Sequence, residues 1–178
     1  MHKTRSIINP YLITLLTGVF ILLSLSQTVG AENILADNTG AVLKISGKIS
    51  HTNKKDGLYL GRAQLKALPQ TTLSVTTPWT DGTVRFTGPK LIDVLNLAGA
   101  DGKTLTAIAH NDYQTKIPVQ DAVDYPVIIA MDKNGKPMNT RELGPLWIIY
   151  PWGDIQSLRN DKYYARSIWQ LTTIIVHE

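Results

Sequence analysis

The sequence predicts an α+β fold of mixed or antiparallel sheets with few, short helices. Three observations predict it. Short runs rich in β-branched residues recur from Ala41 to Val176, while apolar residues at helical spacing appear in only a few short stretches. The 178 residues are 43% apolar and 18% charged, enough for one domain with a hydrophobic core and too few for two.

The chain opens outside that core. His2, Lys3 and Arg5 form a basic head before an apolar stretch at residues 7–25, and Val29 and Ala31 stand where a signal peptidase reads small residues. Residues 1–31 are therefore expected to be a secretory signal peptide cleaved before Glu32; an uncleaved N-terminal anchor is the alternative. Residues 32–40 form a polar, flexible lead-in, and residues 41–178 form the domain. An exported domain without cysteine points to a bacterial periplasm or exterior, with stability coming from packing.

Within the domain, Val42, Leu43, Ile45 and Ile49 mark a strand or strand pair interrupted at Gly47. Leu58, Tyr59 and Leu60 lead into residues 61–68, a short helix with Leu65 and Leu68 on one face, stopped by Pro69. The threonine and valine content of residues 70–77 predicts a strand ended by Pro78, and residues 83–86 a second extended run. The clearest helix signal is Leu91, Ile92, Leu95 and Ala98, with Pro89 just inside its start and Gly99 just past its end. Residues 104–109 alternate as a strand and pair with 114–117. Residues 127–131 read as a buried strand running into Asn134-Gly135, a hairpin turn. Residues 146–150 and 171–176 complete about seven strands.

Composition removes several classes of function. Without cysteine there is no disulfide scaffold, iron–sulfur cluster, cysteine–zinc site or thiol nucleophile. The formal charge is +4; removing Lys3 and Arg5 with the leader leaves roughly +2, too little to argue for nucleic acid. His51, His110 and His177 are far apart and lack metal-ligand spacing. There is no Gly-x-Ser-x-Gly turn and no glycine-rich phosphate loop.

Aromatic and polar residues gather instead at strand ends. Trp79 sits in the loop of residues 76–82, where it either lines a pocket or closes the core. His110, Asn111, Asp112 and Tyr113 link two strands, and Asn and Asp equally suit the turn itself. Trp147, Tyr150 and Trp152 bracket Pro151, and Tyr163, Tyr164, Arg166 and Trp169 precede the last strand. If these segments meet at one sheet edge, they form a cleft for a flat heteroaromatic ligand. A carboxylate such as Asp112 accepts two parallel N–H bonds from the edge of a pterin or guanine, and Arg166 or Arg85 meets a carbonyl or an anionic tail.

Four blocks in order, LKALPQTTLSVTTPWTDGTVRFTGPKLIDVLNLAGA, AHNDYQTKIP, GPLWIIYPWG and YYARSIWQLTTIIV, resemble the oxidoreductase molybdopterin-binding domain, the sulfite-oxidase fold. The resemblance covers nearly all of residues 41–178. Catalytic relatives hold molybdenum through a cysteine in the loop after the strand that here ends near residues 75–77; this chain has none, and a threonine hydroxyl is a poor substitute for a thiolate. Asn111-Asp112-Tyr113 stands where relatives carry Asp-Gly-Tyr, and Trp169 near a lysine directed at the cofactor's phosphate.

The pattern is similar to the cysteine-less, exported branch of the superfamily. That resemblance implies a non-catalytic periplasmic pterin-binding protein without molybdenum, regulating a membrane-bound signalling partner that controls cyclic di-GMP and biofilm formation. It implies a pterin ring against Trp79 and Trp169, its edge read by Asn111 and Asp112, and a pocket closed by Tyr113, Tyr164 and Arg166. The alternatives are a divergent molybdopterin-dependent oxidoreductase lacking the cysteine ligand, and a structural partner that has lost every ligand.

Overall fold

The structure, a computed structural model, describes residues 40–178. The expected signal peptide and all but the last residue of the lead-in lie outside the described residues. Among the described residues no helix is long and apolar enough to cross a membrane.

The sheet expected from the alternating runs is mixed and five-stranded. Its members are β1 (Ala41–Gly47), β2 (Leu58–Gly61), β5 (Thr104–Ala109), β6 (Gln114–Pro118) and β11 (Leu171–His177), in the order β2-β1-β11-β5-β6. β1 and β11 run parallel, with Lys44 opposite Thr173, and the other pairings are antiparallel. Period-two patterning turns Leu43, Ile45, Leu105, Ala107 and Ala109 to one buried face.

A second, antiparallel sheet runs β3 (Gln70–Thr76), β4 (Thr83–Pro89), β8 (Asp132–Lys133) and β9 (Lys136–Pro137). It buries Leu73, Val75, Val84 and Phe86 and shows solvent a threonine-rich face, where the Thr72 and Thr87 hydroxyls meet at 2.8 Å. The Asn134-Gly135 turn joins β8 to β9, as its residues predict. β7 (Ile128–Ala130) and β10 (Trp147–Ile149) pair between the larger sheets and are buried on both faces, so they read as unbroken apolar runs.

The helices are α1 (Arg62–Ala67), α2 (Leu91–Leu97), α3 (Val119–Asp124) and α4 (Asp161–Arg166). α1 stops before Pro69 and α2 closes at Gly99, as expected; the Gly99 and Ala100 amides bond back to the Asn96 and Leu95 carbonyls. Pro89 departs from expectation. It ends β4 instead of opening α2, whose cap is Lys90. The strand must run that far because Gly88 passes over β7: a Cβ there would stand 1.9 Å from the Ile129 carbonyl oxygen, and the Met131 amide donates to the Thr87 oxygen at 2.8 Å.

A candidate aromatic binding site

Three segments converge on one cavity of about 370 Å³. The β3–β4 connection supplies Trp79, the β5–β6 turn supplies Asn111 and Tyr113, and α4 with the residues leading to β11 supplies Tyr164 and Trp169. The volume falls within the roughly 300–1,000 Å³ of small-molecule sites.

Trp79 forms the centre of an aromatic group that includes all four tryptophans. Its ring centroid lies 5.2 Å from Trp169, 5.8 Å from Trp147, 5.9 Å from Tyr164 and 6.3 Å from Trp152. Trp79 is half-buried, so it both packs on the core and lines the cavity, answering the two readings left open above. The Trp79 and Trp169 planes meet at 68°, so a flat ring stacked on one presents its edge to the other. Behind them Trp147 is fully buried; its Nε1–H donates to the Ser167 carbonyl at 3.1 Å, and a bridge pairs its backbone with that of Trp169.

Five of the seven expected site residues thus line one cavity: Trp79, Asn111, Tyr113, Tyr164 and Trp169. Asp112 does not. It occupies the left-handed region of the β5–β6 turn, φ 65°, where its amide donates to the Ala109 carbonyl and its exposed side chain lies outside the lining. Turn chemistry, the alternative noted for this residue, prevails. Tyr113 is 52% exposed, a rim residue.

Arg166 is also absent from the lining. Its Nη1–H donates to Asp121 Oδ2 at 2.6 Å, and the same oxygen accepts from the Tyr150 hydroxyl at 2.7 Å. Asp121 is 8% exposed and Tyr150 fully buried. Burial and the neighbouring carboxylate hold the Tyr150 phenol well above its ordinary range, so it remains a donor. The guanidinium also lies 5.5 Å from the Tyr163 ring. Arg85, the other cation considered, lies on the exposed face of β4, opposite Ser74.

Sequence reasoning missed Asp161, Ala165, Ser167 and Ile168, which complete the α4 side of the cavity. The signal for them was Asn160, whose side chain accepts from the Lys162 amide at 3.1 Å and caps α4. Among the described residues that line the cavity Asp161 is the one charged residue, and none is lysine, arginine or histidine.

The fold thus places a ring-sized, largely aromatic cavity at one end of its strands. A family model, the oxidoreductase molybdopterin binding domain, matches residues 43–159, well over half of the chain, and the chain belongs to that family. Its fold is of the sulfite-oxidase type. The crystal structure of the sulfane dehydrogenase SoxCD from Paracoccus pantotrophus is similar, with a TM-score of 0.57 and 17% identity, covering 79% of this chain and 38% of that one. The chain therefore spans well under half of that protein, and the likeness is one of fold. None of the curated proteins matches the sequence.

The family's cofactor joins a pterin ring to a phosphate and a metal, and the residues present suit its parts unequally. The ring fits the tryptophan walls. The phosphate meets no cation among the described lining residues. The loop position of the relatives' cysteine offers Thr77, 5% exposed, whose hydroxyl accepts from the Trp79 amide at 3.1 Å and pairs with Thr80 Oγ1 at 2.8 Å. Among the described residues no group of three or more His, Cys, Asp or Glu side chains forms a metal-ligand cluster.

Proposed function

We propose that this chain is a non-catalytic periplasmic protein that binds an unphosphorylated pterin and signals its occupancy to a membrane-bound partner. The observation that carries the reading is the cavity between Trp79 and Trp169, aromatic and without a cation among its described lining residues. Such walls stack a flat ring, and Asn111 at the rim offers an amide to its hydrogen-bonding edge. A phosphate brought into the same cavity would lose its hydration without gaining a positive partner.

Support for the signalling role comes from the four motif blocks, which resemble exported, cysteine-less relatives acting on enzymes of cyclic di-GMP metabolism. Biofilm control would follow from that activity. The leader-like residues 1–31 support the periplasm.

The test is a thermal-shift titration of residues 32–178, purified anaerobically, with oxidised and reduced pterins. A saturable rise of about 2 °C or more supports binding, because only a ligand of the native state raises the melting temperature. A flat titration with a clean melt rejects it. Stoichiometric molybdenum in protein from a host that makes the cofactor would favour the divergent oxidoreductase instead.

A further inference from the structure

The strongest candidate for a ligand-anchoring cation, Arg166, is held on the far side of the cavity wall. Its neighbours on either side, Ala165 and Ser167, both line the cavity, while its own guanidinium is turned to α3 and bound by Asp121. The pair is well shielded, with side-chain exposures of 16% for Arg166 and 11% for Asp121. Tyr150 donates to the same carboxylate oxygen and Tyr163 lies against the guanidinium, so both partners sit within a braced network.

We infer that Asp121, which does not line the cavity, determines which class of ligand the cavity accepts: by holding the Arg166 guanidinium against α3 it keeps the cavity free of cations and closed to phosphorylated ligands. Asp121 is a positioning residue in this scheme and acts through Arg166. The physical basis is that a shielded guanidinium must keep an anionic or strongly accepting partner. With the charge of Asp121 removed, the open volume one residue away on either side offers water and, when present, a ligand phosphate, which guanidinium binds in bidentate fashion. Asp161, the one charged residue among the described lining, repels the same phosphate and reinforces the selection.

This inference rests on the pterin-binding reading, and its test separates the two. The affinities of the purified chain for neopterin and for neopterin monophosphate, which differ only by the phosphate, are measured by calorimetry. The wild type is expected to prefer neopterin by about tenfold or more, the cost of an unpartnered phosphate. Asp121→Asn keeps the side-chain volume and an acceptor for Tyr150; it is expected to lower that preference about fivefold or more by releasing a phosphate partner. Adding Arg166→Gln to it is expected to restore the wild-type ratio. If Asp121→Asn weakens both ligands in proportion, or if the wild type binds both equally, Asp121 does not select and the inference falls while pterin binding stands. If the folded wild type binds neither, the pterin reading itself falls and carries the inference with it. Should Asp121→Asn not fold, Ala165→Arg places a guanidinium on an exposed, cavity-lining position. An unchanged ratio in that variant would overturn the charge-sorting argument, and a shift toward the monophosphate would uphold it.

Discussion

The cavity has two unlike walls. The β3–β4 connection contributes the single ring of Trp79, and its side-chain hydrogen bonds stay within it: Thr77 to Thr80 at 2.8 Å and the Trp79 amide to Thr77 at 3.1 Å. The segment from Asp161 to Trp169 contributes six lining residues and is tied from behind. Trp147 holds the Ser167 carbonyl, the Ile148 amide holds that of Ile168 at 3.0 Å, and Asp121 holds Arg166. A wall hydrogen-bonded to the core fixes the shape and charge of a site, whereas the β3–β4 connection is held to the core by the packing of the Trp79 ring, with its side-chain hydrogen bonds kept within the loop.

Breaking the braced wall should cost most. Trp147→Ala removes a fully buried ring that packs on Phe86, Trp79 and Trp169, and is expected to lose about 3–5 kcal/mol of stability in urea denaturation. A loss below about 1 kcal/mol would mean that the two walls do not differ in this way. Trp79→Ala is expected to weaken pterin binding by about 1–3 kcal/mol, the worth of a stacking partner. Its ligand titration should shift more than its urea midpoint.

The buried phenol sharpens the comparison through pH. Tyr150 is held above its ordinary value of 10.0 in the folded chain by burial first and the Asp121 bond second. A raised folded value gives stability that is complete below pH 10 and is lost above it, as the unfolded chain releases the proton and the folded chain retains it. The loss approaches about 1.4 kcal/mol per pH unit. Urea denaturation at pH 9, 10 and 11 should show that slope in the wild type, reduced by this amount in Tyr150→Phe. The smallest effect is expected at Gly82, where φ is +63° and a Cβ meets nothing within 4 Å. Gly82→Ala should cost about 1 kcal/mol for the left-handed backbone alone and leave the network behind α4 untouched.

The strands were legible because one buried face writes itself as alternation, as in β5, and two buried faces as an apolar run, as in β7. α3 and α4 were not, because six residues such as VQDAVD or DKYYAR hold less than two turns and show no apolar stripe. The same limit shaped the site. Rings were identified wherever aromatic residues clustered: Trp79, Tyr113, Tyr164 and Trp169 line the cavity, while Trp147, Tyr150 and Trp152 are buried in the core. Charged groups were misplaced: Asp112 follows a local turn, and Arg166 answers to Asp121, a residue 45 positions earlier that no spacing connects to it. The family and its fold were legible from the four blocks, since buried and turn-forming positions recur in a fixed order.

The place of β11 has a consequence for how the chain assembles. It lies between β1 and β5, so the first strand and the β5–β6 hairpin are joined only through the strand formed last in the sequence. During synthesis, β1–β2 and β5–β6 remain separate hairpins until Leu171–His177 becomes available, and an isolated hairpin is at best marginally stable in water. The main sheet therefore closes only once β11 has been made, after every other described strand. A chain of this topology completes its main sheet later in synthesis than one whose central strand comes early, because the contacts that join its two halves are the ones most distant in sequence.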